Sequence, residues 1–398
     1  MKRVILIVMD GCGVGAMPDA AHYGAADPQS ATLPHVALAV SGLHLPCLQS
    51  LGLGNIVPIL GVTPQDARGG WGRMAEASQG KDSVTGHWEM MGCVTAQAFP
   101  TYPHGFPAEL MARFEREIGR GTLGNCASSG TEILARLGAE HLRTGKPIVY
   151  TSADSVFQVA AHEAIVPLAE LYAICETARR LLQFPNNVQR VIARPFLGDA
   201  PLFRRTEGRR DYPLAPPPGS LPQVLQQAGK TMHAIGVVAD LFPRALFAQA
   251  ERTQNNPAHL DALLRAVQSG TEDFVFANCE DFDMLYGHRN DAPGFAQCLR
   301  EFDASLPAIL DALRPDDLLL ITADHGNDPT TLSTDHSREF VPLLAFAPSG
   351  AVQGSLGTRA TFADAAATIA AWLGVVWAGP GTVFKSPSPG RTAPFPLP

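Results

Sequence analysis

Residues 318–328 read LLLITADHGND. The first five are apolar or β-branched, the pattern of a buried strand, and Asp324 and His325 follow at once. The same junction recurs: Val4–Met9 runs into Asp10, and Phe274–Ala277 is followed by Asp283, while Val341–Phe346 reads as a fourth buried strand. Helical patterns lie among them at Asp261–Val267 and Phe295–Leu313, with Pro307 placed to kink the second. Strands alternating with helices predict an α/β fold with a mostly parallel central sheet flanked by helices. Ligands of such sheets bind beyond the carboxyl ends of the strands. Asp10, Asp283 and Asp324 are therefore expected to converge.

The 398 residues suffice for two domains, and 46% hydrophobic with 17% charged residues is a globular composition. A net charge of −8 argues against general nucleic-acid binding, which needs a basic face. Any bound anion must meet a local positive cluster. The seven cysteines are scattered with no Cys-x-x-Cys pair, which suits neither a disulfide framework nor a cysteine zinc site. A reducing cytoplasm is expected. Asp10 interrupts the N-terminal apolar run too early for a signal peptide, and ATIAAWLGVVWAG is too short to span a membrane.

Two proline clusters, PTYPHGFP (100–107) and DYPLAPPPGSLP (211–222), interrupt helix and sheet and mark boundaries. Between them lie helix Thr131–Leu142, strand Pro147–Thr151, helix Leu168–Leu182 and strand Val188–Ala193. This predicts a smaller α+β domain, residues 100–215, inserted into a core formed by 1–99 and 216–398.

Each acidic residue has imidazoles nearby in sequence: His288 after Asp283, and His325 and His336 after Asp324. One such Asp alone would cap a helix, and one His would be structural. Three carboxylates and three imidazoles at one sheet edge point instead to metal. Oxygen and imidazole donors without thiolate suit manganese, zinc or magnesium, and six ligands suit two ions clamping a phosphoryl group. Residues 81–90, KDSVTGHWEM, look too polar for a strand or core helix, so a loop is expected. It is either a solvated turn or the carrier of a nucleophile. A divalent cation stabilises the alkoxide of a hydroxyl such as that of Thr85, and Gly86 would allow close backbone approach.

Together VMDGCGVG, KDSVTGHWEM, YTSADSVFQVAAHE, DFDMLYGHR and TADHGNDPTTLSTDHSREFVPLL resemble the phosphopentomutases, members of the alkaline phosphatase superfamily. The resemblance implies an alkaline-phosphatase-like core and a cap that keeps water from the site. It implies two Mn2+ ions, one held by Asp10, Asp324 and His325 with Thr85, the other by Asp283, His288 and His336. Thr85 would carry the phosphoryl group, primed by a sugar bisphosphate. The implied reaction interconverts ribose 1-phosphate and ribose 5-phosphate, and their 2-deoxy counterparts. Ser152, Asp154 and Ser155 would face the sugar, and Arg194 and Arg209, within an arginine-rich stretch, would grip the distal phosphate. The implied partners are small pentose phosphates, not nucleic acid, membrane or an obligate protein. The rival expectation is a metal-dependent phosphatase or another phosphomutase of the superfamily. Departures from the family pattern fall at Val237, where lysine is usual, at LFPRALFAQ (241–249), and at Cys126 and Ala127. They bear on loops and substrate preference, not on the metal positions.

Overall fold

The computed structural model describes residues 2–152 and 155–384. In it every residue of the strand Arg3–Met9 is buried, so both faces of the sheet are covered there. This strand pairs in parallel with Phe274–Cys279 on one side and Asp317–Thr322 on the other. Met232–Ile235 and then Gln249–Glu251 extend the parallel run. On the far side Val341–Phe346 runs antiparallel to both its neighbours, Asp317–Thr322 and Gly70–Met74, and Gly354–Arg359 closes an eight-stranded order. The α/β core with a mostly parallel sheet is thus the architecture observed.

A buried ion pair fixes the register of the two central strands. The Arg3 guanidinium meets the Asp317 carboxylate, with Nε–Oδ1 at 2.9 Å, and its Nη1 donates to the Val267 carbonyl at 2.8 Å. Breaking such a pair costs about 3–5 kcal/mol, because one charge is left buried and uncompensated.

The chain forms two compact units, Met1–Gln97 with Pro216–Pro398, and Ala98–Ala215. The second has its own sheet, in the order Leu123–Ala127, Ile148–Thr151, Val156–His162, Arg190–Leu197 and Arg204–Arg205, with Arg210–Pro213 also on Arg190–Leu197. The helices Ala108–Ile118 and Leu168–Leu181 pack on it through Phe114, Phe157, Leu171 and Ile174.

Three local expectations are corrected. KDSVTGHWEM is no loop: Ser83–Met90 is a helix, buried from Val84 to Met90. Its polarity is matched by partners in the fold, as described below. The second proline cluster does enter regular structure, because Pro213 ends an edge strand and Pro222 sits in the first turn of the helix Leu221–Gln227. Both are positions that need no backbone donor. The helix Ala292–Ala312 is continuous through Pro307.

Candidate metal centre and nucleophile

The three parallel strands deliver their carboxylates to one edge. Asp10 directly follows Arg3–Met9, Asp324 stands two residues beyond Thr322, and Val8 pairs with Thr322 and with Asn278 in register. Asp283 lies in a single π-helical turn, Phe282–Tyr286, after the third strand. Such turns recur at functional sites. His288 occupies the next short turn, Gly287–Arg289. A bridge between Gly326 and Ser337 folds His336 back onto His325, their rings stacked with centroids 4.0 Å apart.

Two groups of donor atoms result, each within 4.8 Å: Asp10, Asp324 and His325, and Asp283, His325 and His336. His325 Nε2 lies 3.4 Å from Asp10 Oδ1 and 3.3 Å from Asp324 Oδ2. Asp283 Oδ2 is 3.1 Å from His288 Nε2, and its Oδ1 is 3.5 Å from His336 Nε2. The His288 Nδ1 lies 2.7 Å from the Thr334 carbonyl, which accepts its proton and leaves Nε2 facing the carboxylate.

The electrostatics of the cluster are unbalanced. Burial pushes the Asp10 carboxyl well above its ordinary range, and the Asp324 and Asp283 charges push it further. For Asp283, burial acts upward but is outweighed by His336, His288 and His325, so its carboxyl falls well below the ordinary range. Asp324 is also lowered; burial opposes this, and His325 and His87 overcome it. Among the described residues, Asp10 Oδ1 and Asp324 Oδ2 are buried without a hydrogen-bond partner. Crowded carboxylates with unsatisfied oxygens beside imidazole nitrogens fit a divalent cation, which supplies the missing positive charge. The donor set fits manganese, zinc or magnesium.

The helix carrying Thr85 is pressed onto this cluster. Its N-cap, Asp82, accepts from the Thr85 backbone N–H at 3.0 Å and from the Thr85 hydroxyl at 2.7 Å. Ser83 Oγ lies 3.1 Å from His325 Nε2, and His87 Nδ1 lies 3.3 Å from Asp324 Oδ2 and 2.8 Å from the Ser83 carbonyl. A Cβ on Gly86 would stand 2.2 Å from the Asp324 carbonyl oxygen, so only glycine permits this approach. Glu89 anchors the far end, accepting from Ala77, Ser78 and Phe362 backbone N–H groups.

In the second unit Arg194 Nε donates to Gln158 Oε1 at 3.1 Å, and Arg209 makes a two-pronged contact with Asp211 at 2.8 and 2.9 Å. Burial, then the nearby Arg209 and Arg205, bring the Arg194 guanidinium down to about 10. The Arg194 guanidinium thus lies near those of Arg205 and Arg209, the last of them paired with Asp211. The Ser155 hydroxyl donates to the Pro100 carbonyl at 2.6 Å, and Ser152 is half-buried. Asp154 lies outside the described residues. Asn278 and Asn327 are site neighbours that the sequence does not single out, and Asp82 and His87 are members of the polar motif to which it assigns no role. The signal for Asn278 was a lone amide inside the apolar run FVFANC.

A family model of the metalloenzyme superfamily matches residues 2–376, and the chain belongs to that superfamily. A solved structure from Pyrococcus horikoshii shares the fold with a TM-score of 0.50 at 18% identity, over 94% of this chain and 97% of its own. Within the superfamily, a phosphopentomutase of Caldanaerobacter subterraneus subsp. tengcongensis is 49% identical over 96% of this chain and 97% of its own. Another, from Anaeromyxobacter sp., is 53% identical over 94% and 96%. The chain belongs to the phosphopentomutase family, whose members are isomerases of the intramolecular phosphotransferase type.

Proposed function

We propose that the protein interconverts ribose 1-phosphate and ribose 5-phosphate, and their 2-deoxy counterparts, through a phosphothreonine at Thr85 and a sugar bisphosphate. The observation that carries this reading is the seating of the Thr85 helix directly against Asp324 and His325, by Gly86 and Ser83. Asp10, Asp324 and His325 with Thr85 would hold one divalent ion, and Asp283, His288 and His336 a second, manganese being the ion the family resemblance favours. Two such ions, when bound, stabilise charge on the transferring phosphoryl group and on the threonine oxygen.

The chain's own groups do the rest. The Thr85–phosphate P–O bond breaks as the free hydroxyl of the sugar monophosphate forms a new P–O bond, and the sugar's proton ends on the departing Thr85 Oγ1. The bisphosphate then returns its other phosphoryl group to Thr85 Oγ1, the P–O bond to the sugar breaking and the threonine proton ending on the sugar oxygen that leaves. While the bisphosphate is bound, Asp82 holds the freed Thr85 hydroxyl by accepting its hydrogen bond. Arg194 and Arg209 are assigned to the phosphate that does not react, and Ser152, Asp154 and Ser155 to the sugar. For Ser155 this requires exchanging its bond to Pro100. The free thiols, with six of the seven buried, support a place in a reducing cytoplasm.

The test supplies manganese, ribose 1-phosphate and catalytic sugar bisphosphate, and follows ribose 5-phosphate and free phosphate together. Ribose 5-phosphate without matching phosphate is expected. Phosphate alone would make the protein a phosphatase. Thr85→Ala should abolish exchange and leave metal content intact, and surviving exchange would remove Thr85 from the mechanism.

A further inference from the structure

Two asparagines beside the metal ligands share an arrangement that packing does not explain. Asn278 and Asn327 are both fully buried. Asn278 Nδ2 donates to Asp10 Oδ2 at 2.7 Å, and Asn327 Nδ2 donates to Asp283 Oδ1 at 2.7 Å. In each, the amide oxygen is buried with no hydrogen-bond partner among the described residues. Turning either amide over would aim its oxygen at a carboxylate, so the orientation is forced. Each therefore keeps one bond to a carboxylate and leaves a carbonyl unsatisfied, an arrangement that costs stability.

We infer that Asn278 and Asn327 are positioning residues for the metal centre, one for each of the carboxylates Asp10 and Asp283. The donor is neutral. A lysine or arginine would also hold the carboxylate, but would cancel the charge that a cation needs. An amide fixes one oxygen and leaves the charge available. At Asp10 the result is visible: Oδ2 is tied to Asn278, and Oδ1 is unpartnered and turned within 3.4 Å of His325 Nε2. Asn327 is wedged from two sides, because a Cβ at Gly287 would lie 2.6 Å from its side-chain carbonyl carbon and one at Gly11 would lie 3.1 Å from its Cβ. Its backbone N–H donates to the Gly11 carbonyl at 2.8 Å, which ties it to the Asp10 loop as well. The amide also lies 3.3 Å from His288 Nδ1. Such outer partners typically change metal affinity by about 10–100-fold.

This inference rests on the reading of Asp10 and Asp283 as metal ligands, so the experiment separates the two. Manganese is titrated calorimetrically into metal-free wild type, Asp10→Asn, Asn278→Leu and Asn327→Leu, and the metal-free Tm of each is measured. Leucine is close in volume and removes the donor together with the unsatisfied oxygen. We expect Asn278→Leu to weaken one ion by about 10–100-fold and Asn327→Leu the other, with only a modest fall in metal-free Tm from the carboxylate that loses its donor. A purely structural role predicts the reverse: a large fall in metal-free Tm and unchanged affinity. Unchanged affinities, or losses that only track a lower Tm, overturn the inference. If wild type binds no manganese, or Asp10→Asn binds as wild type does, the ligand reading itself fails. Should a leucine variant not fold, Asn278→Ala or Asn327→Ala removes the same donor and carries the same expectation for affinity.

Discussion

A methyl group on Gly86 would sit 2.2 Å from the Asp324 carbonyl oxygen and 2.9 Å from its carbon. Two effects then compete in Gly86→Ala. Helix propensity favours alanine by up to about 1 kcal/mol. Forcing an atom into a packed backbone contact costs about 1–3 kcal/mol or more, and here the neighbour is main chain at the end of a central strand, which yields poorly. The clash should win. The expected result is a Tm about 1–4 °C lower and a large loss of activity, because Thr85 moves with the helix. An unchanged Tm with full activity would mean that the contact is soft. Thr85 and the strand-end carboxylates were legible in the sequence because they follow recognisable β-branched runs or lie in a dense polar motif. The roles of Asn278, Asn327 and His87 were not, since each depends on a partner dozens to hundreds of residues away.

At the scale of elements, the reading of KDSVTGHWEM as a loop failed for a physical reason. Polarity predicts exposure only when the polar groups have no partners, and here Asp82 caps the helix, Ser83 reaches His325, and Glu89 takes three backbone donors and the Thr361 hydroxyl. A local window cannot show such partners. The helix Asn256–Ser269 carries a second buried polar residue whose consequence is measurable. His259 is fully buried, and burial first, then Arg252, lowers its imidazole to about 4. Its Nδ1 meets the Thr253 hydroxyl, and Glu280 Oε1 stands 3.9 Å from Nε2. The folded state holds the imidazole neutral, whereas the unfolded chain protonates it near 6.5. Its contribution is therefore complete above about pH 6.5 and is lost as pH falls toward 4, by at most about 3 kcal/mol. Urea midpoints of wild type and His259→Gln at pH 7 and 4.5 should converge on acidification. A constant gap would show that His259 does not titrate with unfolding.

For the molecule as a whole, the question is how an acidic protein binds a doubly charged sugar phosphate. The net charge is −8, yet six of the 30 Lys and Arg residues fall between 190 and 210. The structure gathers Arg194, Arg205 and Arg209 closely enough that the last two help lower the first. Gln158 and Asp211 hold the outer two members in place, and the Asp211 carboxyl is itself lowered: burial opposes this, and Arg209 outweighs it. Grouping like charges is unfavourable unless an anion is to be received, and guanidinium forks match phosphate oxygens. Half-exposed charges are screened by salt, with a Debye length of about 10 Å at 0.1 M and about 3 Å at 1 M. KM for ribose 5-phosphate should therefore rise severalfold between about 0.05 and 0.5 M potassium chloride, while kcat changes little, since the unreacting phosphate is bound equally before and during transfer. Arg194→Gln should raise KM by about 10–100-fold, the cost of a hydrogen bond to a charged group, and should flatten the salt dependence. If KM ignores both salt and Arg194, the arginines are ordinary surface charge and the phosphate is held elsewhere.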